Sequence, residues 1–176
     1  IGGLYLLAMD STRRNREGYS PIVPTLKRIE GIRTLPEYTL TTAWLYRRGV
    51  RALMFGIGFE ADLRNADMNL AQVYQGGLSM RERDYYLSDE PNTVKIREAY
   101  KEYVRKLFLM VGNDEAAAKS KQEAVLAIET RIARASYSRT QLRDVEGNYH
   151  KMSYAELLEQ FPGIDWSTCF LQVGSP

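Results

Sequence analysis

The apolar residues of this chain repeat with a helical period along most of its length, and that period is interrupted once. Around positions 53–59 the period drops to two, which is typical of a half-buried strand; the apolar residues there are Leu53, Phe55, Ile57 and Phe59. A second strand is predicted over Asn69–Gln75, antiparallel to the first. The predicted fold class is therefore mainly α, a helical domain with one short antiparallel β-hairpin at about residues 51–75.

Three helices are predicted before the hairpin. The first is closed by Gly18 and Pro21, and it has on one face Leu4, Leu7, Ala8 and Ser11. The second is short and runs from Pro21 to Gly31. The third begins at the capping box Thr34–Glu37, whose two side chains can bond free backbone amides of the first turn.

Two long helices and two short ones are predicted after the hairpin. Val94–Val111 is expected to turn inward the stripe Ile96, Tyr100, Tyr103, Leu107 and Met110. Asp114 caps the next helix, whose expected inward residues are Val125, Ile128, Ile132 and Ala135. A capping box at Ser153–Glu156 begins a short helix, and Asp165 caps one more.

The length of 176 residues suits one compact domain. No internal repeat or linker marks a second domain, and the alternative is a second lobe that starts near residue 150. The chain begins at Ile1 and not at Met, so we expect a fragment of a longer protein. It has no run of about 18 apolar residues, so we expect no membrane contact within this segment.

Charge and the two scarcest residue types exclude several classes of protein. Lys and Arg number 24 against 22 Asp and Glu, and this near balance argues against a nucleic-acid partner. With one cysteine, Cys169, the chain cannot form an internal disulfide. Cys169 and the one histidine, His150, cannot supply the four protein ligands of a structural zinc site.

Four features have a chemical interpretation and a structural one. Gly56 and Gly58 resemble the start of a dinucleotide-binding turn, but Ala61 replaces the third glycine and no helix follows, which favours a bulge or a close backbone approach. His150 with Ser153 could form an acid–base pair, whereas a surface or capping role needs nothing more. Cys169 has no neighbouring base, and a buried, inert thiol is expected.

The fourth feature is a pair of arginine clusters, Arg13-Arg14-Asn15-Arg16 and Arg47-Arg48 with Arg51. They could bind phosphate or a carboxylate. Both clusters fall near predicted helix C-termini, where cations complement the exposed carbonyls and the helix dipole. The structural interpretation is therefore sufficient for both.

The densest unusual stretch is the segment from Gln75 to Tyr86. Gly76 and Gly77 permit a tight path with positive φ, and arginines, acids and tyrosines follow within a few residues. Arginine–carboxylate bonds and tyrosine hydroxyls can fix such a loop in place, and we take that structural role as the default. A binding role is the alternative, since loops on rigid scaffolds often carry function.

This stretch also carries a family resemblance. Gly77-Leu78 followed by Arg83-Asp84-Tyr85-Tyr86 resembles a signature of the neprilysin and endothelin-converting-enzyme family of zinc metallopeptidases. The segment from Leu4 to Gly18 resembles that family's helix before a proline-rich turn. Tyr149–Ser153, with Phe161 and Trp166 after it, resembles a third motif of the family, and the three motifs occur in the family's order.

The resemblance implies a zinc-dependent metalloendopeptidase that cleaves oligopeptides. In that family a His-Glu-x-x-His helix supplies two zinc ligands and the general base, and this chain has only one histidine. We therefore assign it no catalytic residue, no metal ligand and no cofactor, and place zinc in the parent enzyme. The family-motif loop is expected to be structural; its residues are Gly76, Gly77, Leu78, Arg83, Asp84, Tyr85 and Tyr86.

This chain therefore resembles the family's N-terminal, non-catalytic helical portion. In the family that portion covers the catalytic cleft and restricts it to small peptides. Its expected partners are the C-terminal catalytic portion of the same protein and peptide substrates. Leu87 and Ser88 stand where animal members have cysteines, which suggests a bacterial member. The family implies a periplasmic, secreted or membrane-anchored protein.

The competing hypothesis is a stand-alone helical protein- or peptide-interaction module without enzymatic activity. A His-Glu-x-x-His motif encoded downstream of Pro176 would separate the two interpretations.

Overall fold

The computed structural model describes residues 2–50 and 53–173, with side chains described as far as Leu171. In these ranges the chain is mainly α with one antiparallel hairpin, as predicted; the hairpin consists of β1 (Phe55–Asp62) and β2 (Asn65–Gln75). The helices are α1 (Gly2–Met9), α2 (Ser11–Glu17), α3 (Val23–Glu30), α4 (Leu35–Tyr46), α5 (Asp84–Leu87), α6 (Pro91–Met110), α7 (Glu115–Ala135), α8 (Arg139–Leu142), α9 (Tyr154–Gln160) and α10 (Trp166–Val173).

The hairpin is longer on its second strand than the sequence predicts. Phe55 pairs with Gln75 and Ile57 with Val73, and the register shifts between Ala61 and Asp62. The second strand begins at Asn65, so the prediction that it starts at Asn69 is wrong. Residues 65–69 are exposed, and a strand in water can be polar on both faces. The first two residues of the predicted hairpin, 51 and 52, lie outside the described residues.

Gly56 and Gly58 lie within β1, beneath the ring of Tyr74. A Cβ on Gly56 would lie 1.9 Å from Cε2 of Tyr74, so the predicted close approach is confirmed. The strand continues to Asp62, and no helix follows that could bind a pyrophosphate.

The N-terminal segment forms two helices, so the prediction of one continuous helix is wrong. Asp10 separates them, because its Oδ1 accepts a 2.8 Å hydrogen bond from the Arg13 amide and caps α2. The helix α1 has no buried residue. The predicted short helix after Pro21 is confirmed as α3, preceded by a 3-10 turn at Ser20–Ile22.

The predicted capping box at the start of α4 is confirmed. The Thr34 amide donates to Oε2 of Glu37 at 3.0 Å, and the Glu37 amide donates to the Thr34 hydroxyl at 3.4 Å. Trp44 in α4 contacts two guanidinium groups, with Arg48 at 3.7 Å and Arg28 at 4.8 Å from the ring centroid. These cation–π contacts join α3 to α4.

The helices α6 and α7 pack side by side, but their predicted inward stripes are partly wrong. Val104 is the buried residue of α6, Tyr100 is half-buried, and the exposed members of its predicted stripe are Ile96, Tyr103, Leu107 and Met110. On α7, Val125 and Ile132 are half-buried as predicted, while Ile128 and Ala135 are exposed. Periodicity defines the apolar faces of a helix but not which face a neighbour covers.

The two C-terminal helices begin at the predicted caps. The Ser153–Glu156 box begins α9, and Asp165 accepts from the Thr168 amide at 3.0 Å at the start of α10. The helix α10 packs against α4, and the Trp166 ring centroid lies 5.5 Å from that of Phe55 in β1. None of the described helices is long and apolar enough to cross a membrane.

Candidate functional site

The family-motif loop connects β2 to α5 by a path that glycine makes accessible. Gly77 has a φ of +79°, and a Cβ there would lie 3.1 Å from both the Ile132 side chain and the Leu53 carbonyl oxygen. The predicted positive-φ path is thus confirmed at Gly77. Arg81 also has a positive φ, 62°, which is uncommon for a residue with a Cβ. Gly76 and Leu78 are half-buried on either side of Gly77.

The loop is held on α7 by the carboxylate of Glu129, which is not among the predicted site residues. Glu129 is 7% exposed, and its Oε1 accepts hydrogen bonds from the hydroxyl and the amide of Ser79 at 2.6 and 3.3 Å. Its Oε2 accepts from the hydroxyls of Tyr100 at 2.7 Å and Tyr86 at 3.1 Å. Four donors around one buried carboxylate offset the loss of its hydration.

Tyr86 links the Glu129 carboxylate to the backbone of the loop. Its hydroxyl accepts from the Met80 amide at 3.0 Å while it donates to Glu129. Its ring meets that of Tyr100 edge to face, with centroids 6.4 Å apart. Burial, with a further contribution from the Glu129 carboxylate, raises the pKa of Tyr86 to about 12 and also raises the pKa of Tyr100. Both phenols therefore remain donors at physiological pH.

Two arginines fix the other end of the loop. Arg83 donates to the carbonyl oxygen of Ser136, just after α7, at 2.7 Å. Arg97 of α6 donates to the carbonyl oxygens of Tyr85 at 3.3 Å and Ser88 at 3.1 Å. The loop is thereby joined to both long helices.

Asp84 differs from its neighbours in the motif. It is exposed at the first position of α5, and its carboxylate makes no hydrogen bond or ion pair with any of the described residues. The anchoring side chains in the loop are those of Ser79, Arg83 and Tyr86. Glu129 could have been found from its spacing, since it lies four residues after Val125 on the face predicted to be inward.

A second buried carboxylate fixes the turn of the hairpin. Asp62 is 3% exposed and accepts from the Lys151 ammonium at 2.7 Å, the Tyr149 hydroxyl at 2.8 Å and the Arg64 amide at 3.0 Å. The bond from Lys151 is the largest cause that lowers the pKa of Asp62 to about 2. The Arg64 guanidinium lies 4.3 Å from the Tyr149 ring centroid and bonds Glu146 at 2.7 Å.

His150 stands between two residues of this cluster but takes no part in it. Its side chain is exposed, and Ser153 three residues later caps α9. Asp144 and Glu146, the upstream acids, bond the Gly147 amide and Arg64. The structure therefore does not bring His150 and Ser153 together as an acid–base pair.

The described arginines of the two clusters lie at or near the C-termini of α2 and α4, as predicted. Arg14 and Arg16 are in the last turn of α2, Arg13 bonds Glu17 at 2.7 Å, and Arg47 caps the C-terminus of α4. Arg51 lies outside the described residues.

Cys169 lies beside a small apolar cavity. This cavity of about 230 Å³ lies between α4, β1 and α10 and is lined by Tyr38, Ile57 and Cys169 among others. The thiol is buried, as predicted, and burial raises its pKa. It is therefore protonated at neutral pH and a poor nucleophile.

A larger open cleft of about 900 Å³ lies between the hairpin and the C-terminal helices. One wall is Leu70–Val73 of β2, and an aromatic group forms another, in which Trp166 lies 6.4 Å from Phe161 and 6.0 Å from Phe170 between ring centroids. The Trp166 indole donates to the carbonyl oxygen of Phe161 at 3.1 Å, which fixes the ring. The cleft can accept an apolar chain segment.

The residues that the structure describes contain no group of three His, Cys, Asp or Glu side chains placed to hold a metal ion. They do not fit a catalytic zinc, which takes three protein ligands.

The family model for peptidase family M13 matches residues 1–176. Human endothelin-converting enzyme 1 is 29% identical over 174 residues, covering 92% of this chain and 22% of that enzyme. Mouse endothelin-converting enzyme 1 is 36% identical over 113 residues, covering 64% of this chain and 15% of the enzyme. Neprilysin-3 of Drosophila melanogaster is 28% identical over 117 residues, covering 66% of this chain and 15% of that protein.

The solved structures that resemble this chain have the same fold. The Mycobacterium tuberculosis zinc metalloprotease ZMP1 in complex with an inhibitor superposes with a TM-score of 0.86 at 23% identity, covering 95% of this chain and 25% of ZMP1. Its open state gives a TM-score of 0.85 at the same identity, covering 26% of that chain. This chain thus spans about a quarter or less of the proteins that it matches.

Proposed function

Because this chain belongs to peptidase family M13, we propose that it is the N-terminal helical cap portion of a zinc-dependent metalloendopeptidase that cleaves oligopeptides. In this proposal the chain shapes a peptide-accepting cavity and limits the size of the peptide that enters. The reactive groups and the zinc belong to the C-terminal catalytic portion of the same polypeptide.

The observation that carries the proposal is the extent of the family match. It covers residues 1–176, while the chain aligns with only 22% of human endothelin-converting enzyme 1 and 25% of ZMP1. A segment that is one part of longer peptidases, and that carries a single histidine, fits a supporting role better than a catalytic one.

The anchored loop supports this role from the structural side. Glu129 and Arg83 hold the motif loop against α6 and α7 through contacts to Ser79, Tyr86, Tyr100 and the Ser136 carbonyl. We infer that Gly77, Arg83 and Tyr86 of the family-motif loop stabilise the cap and do not bind the substrate. A cap that limits the size of the peptides that enter the cavity has to be rigid.

The decisive experiment uses the polypeptide encoded by the whole gene. It should cleave a quenched fluorogenic oligopeptide, lose that activity with a zinc chelator and regain it with added zinc. A longer folded protein substrate should remain intact. The 176-residue chain alone should neither cleave the peptide nor bind zinc with sub-micromolar affinity in calorimetry. An intact gene without a His-Glu-x-x-His motif downstream of Pro176 would contradict the proposal.

Localisation is part of the proposal. The family resemblance implies a periplasmic, secreted or membrane-anchored parent, and a bacterial source remains a prediction. Fractionation of the native cells, with the peptidase activity as the marker, tests the compartment.

A further inference from the structure

The strand β2 has an edge that makes no backbone hydrogen bonds to any described residue. The sheet has two strands, so β2 pairs with β1 on one side only. The backbone hydrogen bonds outside helices and strands include none to this 11-residue strand. A long, unpaired edge is a template for another strand, and folded proteins normally cover or interrupt it.

The large cleft runs along this same edge. Four consecutive residues, Leu70–Val73, line it, whereas β1 contributes only Phe55. Contact with four consecutive residues of β2, and with only Phe55 of the strand paired to it, places the cleft beside β2 and away from β1. With β1 on the other side, that edge is the outer one.

The opposite wall of the cleft suits apolar side chains. It is built from the rings of Phe161, Trp166 and Phe170 together with Leu171. Lys151 also lines the cleft, but its ammonium is paired with Asp62 at 2.7 Å. Main-chain hydrogen bonds to β2 on one side and aromatic contacts on the other fit an extended, apolar segment.

We propose that the outer edge of β2 pairs with an extended apolar segment from the remainder of the polypeptide, the part that longer members of family M13 contain. The inference rests on one element of the proposed function, that the chain is part of a longer protein. Its support is the length of the relatives, since the chain covers 25% of ZMP1 and 22% of human endothelin-converting enzyme 1.

The exposure of the cleft favours a permanent occupant over a free peptide. Val73 is 43% exposed, Phe161 45% and Leu171 65%. Soluble proteins rarely leave so many neighbouring apolar side chains in water. A free peptide would leave them exposed between binding events, whereas a segment of the same chain has a high effective concentration and covers them continuously.

Hydrogen exchange on the whole-gene polypeptide tests the proposal. In a two-stranded hairpin only the β2 amides that face β1 exchange slowly, and these serve as the internal reference. We expect the amides on both sides of β2 to exchange slowly without any added ligand. Fast exchange of the outward amides would overturn the proposal, and slow exchange only after an oligopeptide is added would identify a peptide ligand instead.

A pair of variants tests whether slow exchange of the outward amides depends on the cleft. Leu171→Asp places a charge in the cleft wall and should make the outward amides of β2 exchange at least tenfold faster, while those facing β1 stay slow. Met110→Asp changes a similarly exposed apolar residue (71%) that does not line the cleft, and it should leave both sets slow. Equal effects of the two variants would contradict the proposal.

The same samples separate this inference from the proposed function. Zinc-dependent peptide cleavage with fast outward amides would refute the strand pairing and leave the peptidase assignment intact. Slow exchange of the outward amides in a polypeptide that does not cleave peptides would support the strand pairing and refute the peptidase assignment.

Discussion

Tyr100 of α6 donates a 2.7 Å hydrogen bond to Oε2 of Glu129 on α7. The same oxygen accepts from Tyr86, and the other carboxylate oxygen accepts from Ser79. One side chain therefore joins both long helices and the family-motif loop. Since Tyr86 is buried and Tyr100 is half-buried, water cannot readily replace the carboxylate as their acceptor.

Removal of this carboxylate should be costly. Glu129→Ala leaves buried donors without an acceptor, and we expect the free energy of unfolding to fall by roughly 2–4 kcal/mol. Tyr100→Phe removes one bond and should cost about 1 kcal/mol. Urea unfolding measures both. Glu123→Ala, on the exposed face of the same helix, is the control and should change stability by less than about 0.5 kcal/mol.

Gly77→Ala should also destabilise the chain. The added Cβ would lie 3.1 Å from two atoms, and the backbone there has a positive φ. For a residue with a Cβ the left-handed conformation alone costs about 1–2 kcal/mol. Thermal unfolding followed by circular dichroism should show a lower Tm. Gly163→Ala, where nothing lies within 4 Å and φ is not positive, should be nearly neutral, and an equal loss in both variants would contradict the explanation.

Arg83 and Asp84 are adjacent in the motif and should behave differently. Arg83→Met removes a charged hydrogen bond to the Ser136 carbonyl, and we expect a loss of about 1–3 kcal/mol. Asp84→Ala removes an exposed carboxylate without a described partner and should change stability by less than about 0.5 kcal/mol. Normal stability of Asp84→Ala with impaired peptide turnover in the whole polypeptide would instead support a substrate role for this position.

The stability of the chain should depend on acid through Asp62. Its folded-state pKa, about 2, lies below the ordinary value of 3.8, so between these values the unfolded chain binds the proton more readily. The stabilisation is complete above about pH 4 and is lost as the pH falls toward 2. The difference in Tm between the wild type and Asp62→Asn should therefore narrow over that range. A constant difference would show that this carboxylate is not the cause.

A matched variant identifies the partner that lowers this pKa. Lys151→Met removes the ammonium that bonds Asp62 at 2.7 Å and should raise the pKa of Asp62, moving the acid-dependent loss to higher pH. Direct titration of the carboxyl carbon by NMR measures the shift. An unchanged pKa would assign the effect to Tyr149 and the Arg64 amide.

Local signals predicted the boundaries of several elements. The capping boxes at Thr34 and Ser153, the cap at Asp114 and the positive φ at Gly77 all depend on residues within a few positions of one another. Short-range hydrogen bonds and backbone sterics determine such features, so the sequence contains what is needed to find them.

Long-range features were not predictable in the same way. The buried state of Glu129 depends on Ser79, fifty positions away, and a glutamate in a helix is usually solvated. The exposure of Tyr103 and Met110 depends on which face of α6 its neighbour covers. The break at Asp10 had a local signal, an aspartate before a polar helical stretch, but the apolar period across it hid the cap.

The Asp62–Lys151 ion pair joins residues that are 89 positions apart, and this separation affects the order of events during synthesis. A hairpin pairs within microseconds, yet a ribosome adding about 5–20 residues per second needs roughly 4–18 s to reach Lys151 after Asp62. During that interval Asp62 lacks both Lys151 and Tyr149. In the nascent chain the hairpin can therefore pair several seconds before Tyr149 and Lys151 are synthesised. Its turn gains these two contacts to Asp62 only then.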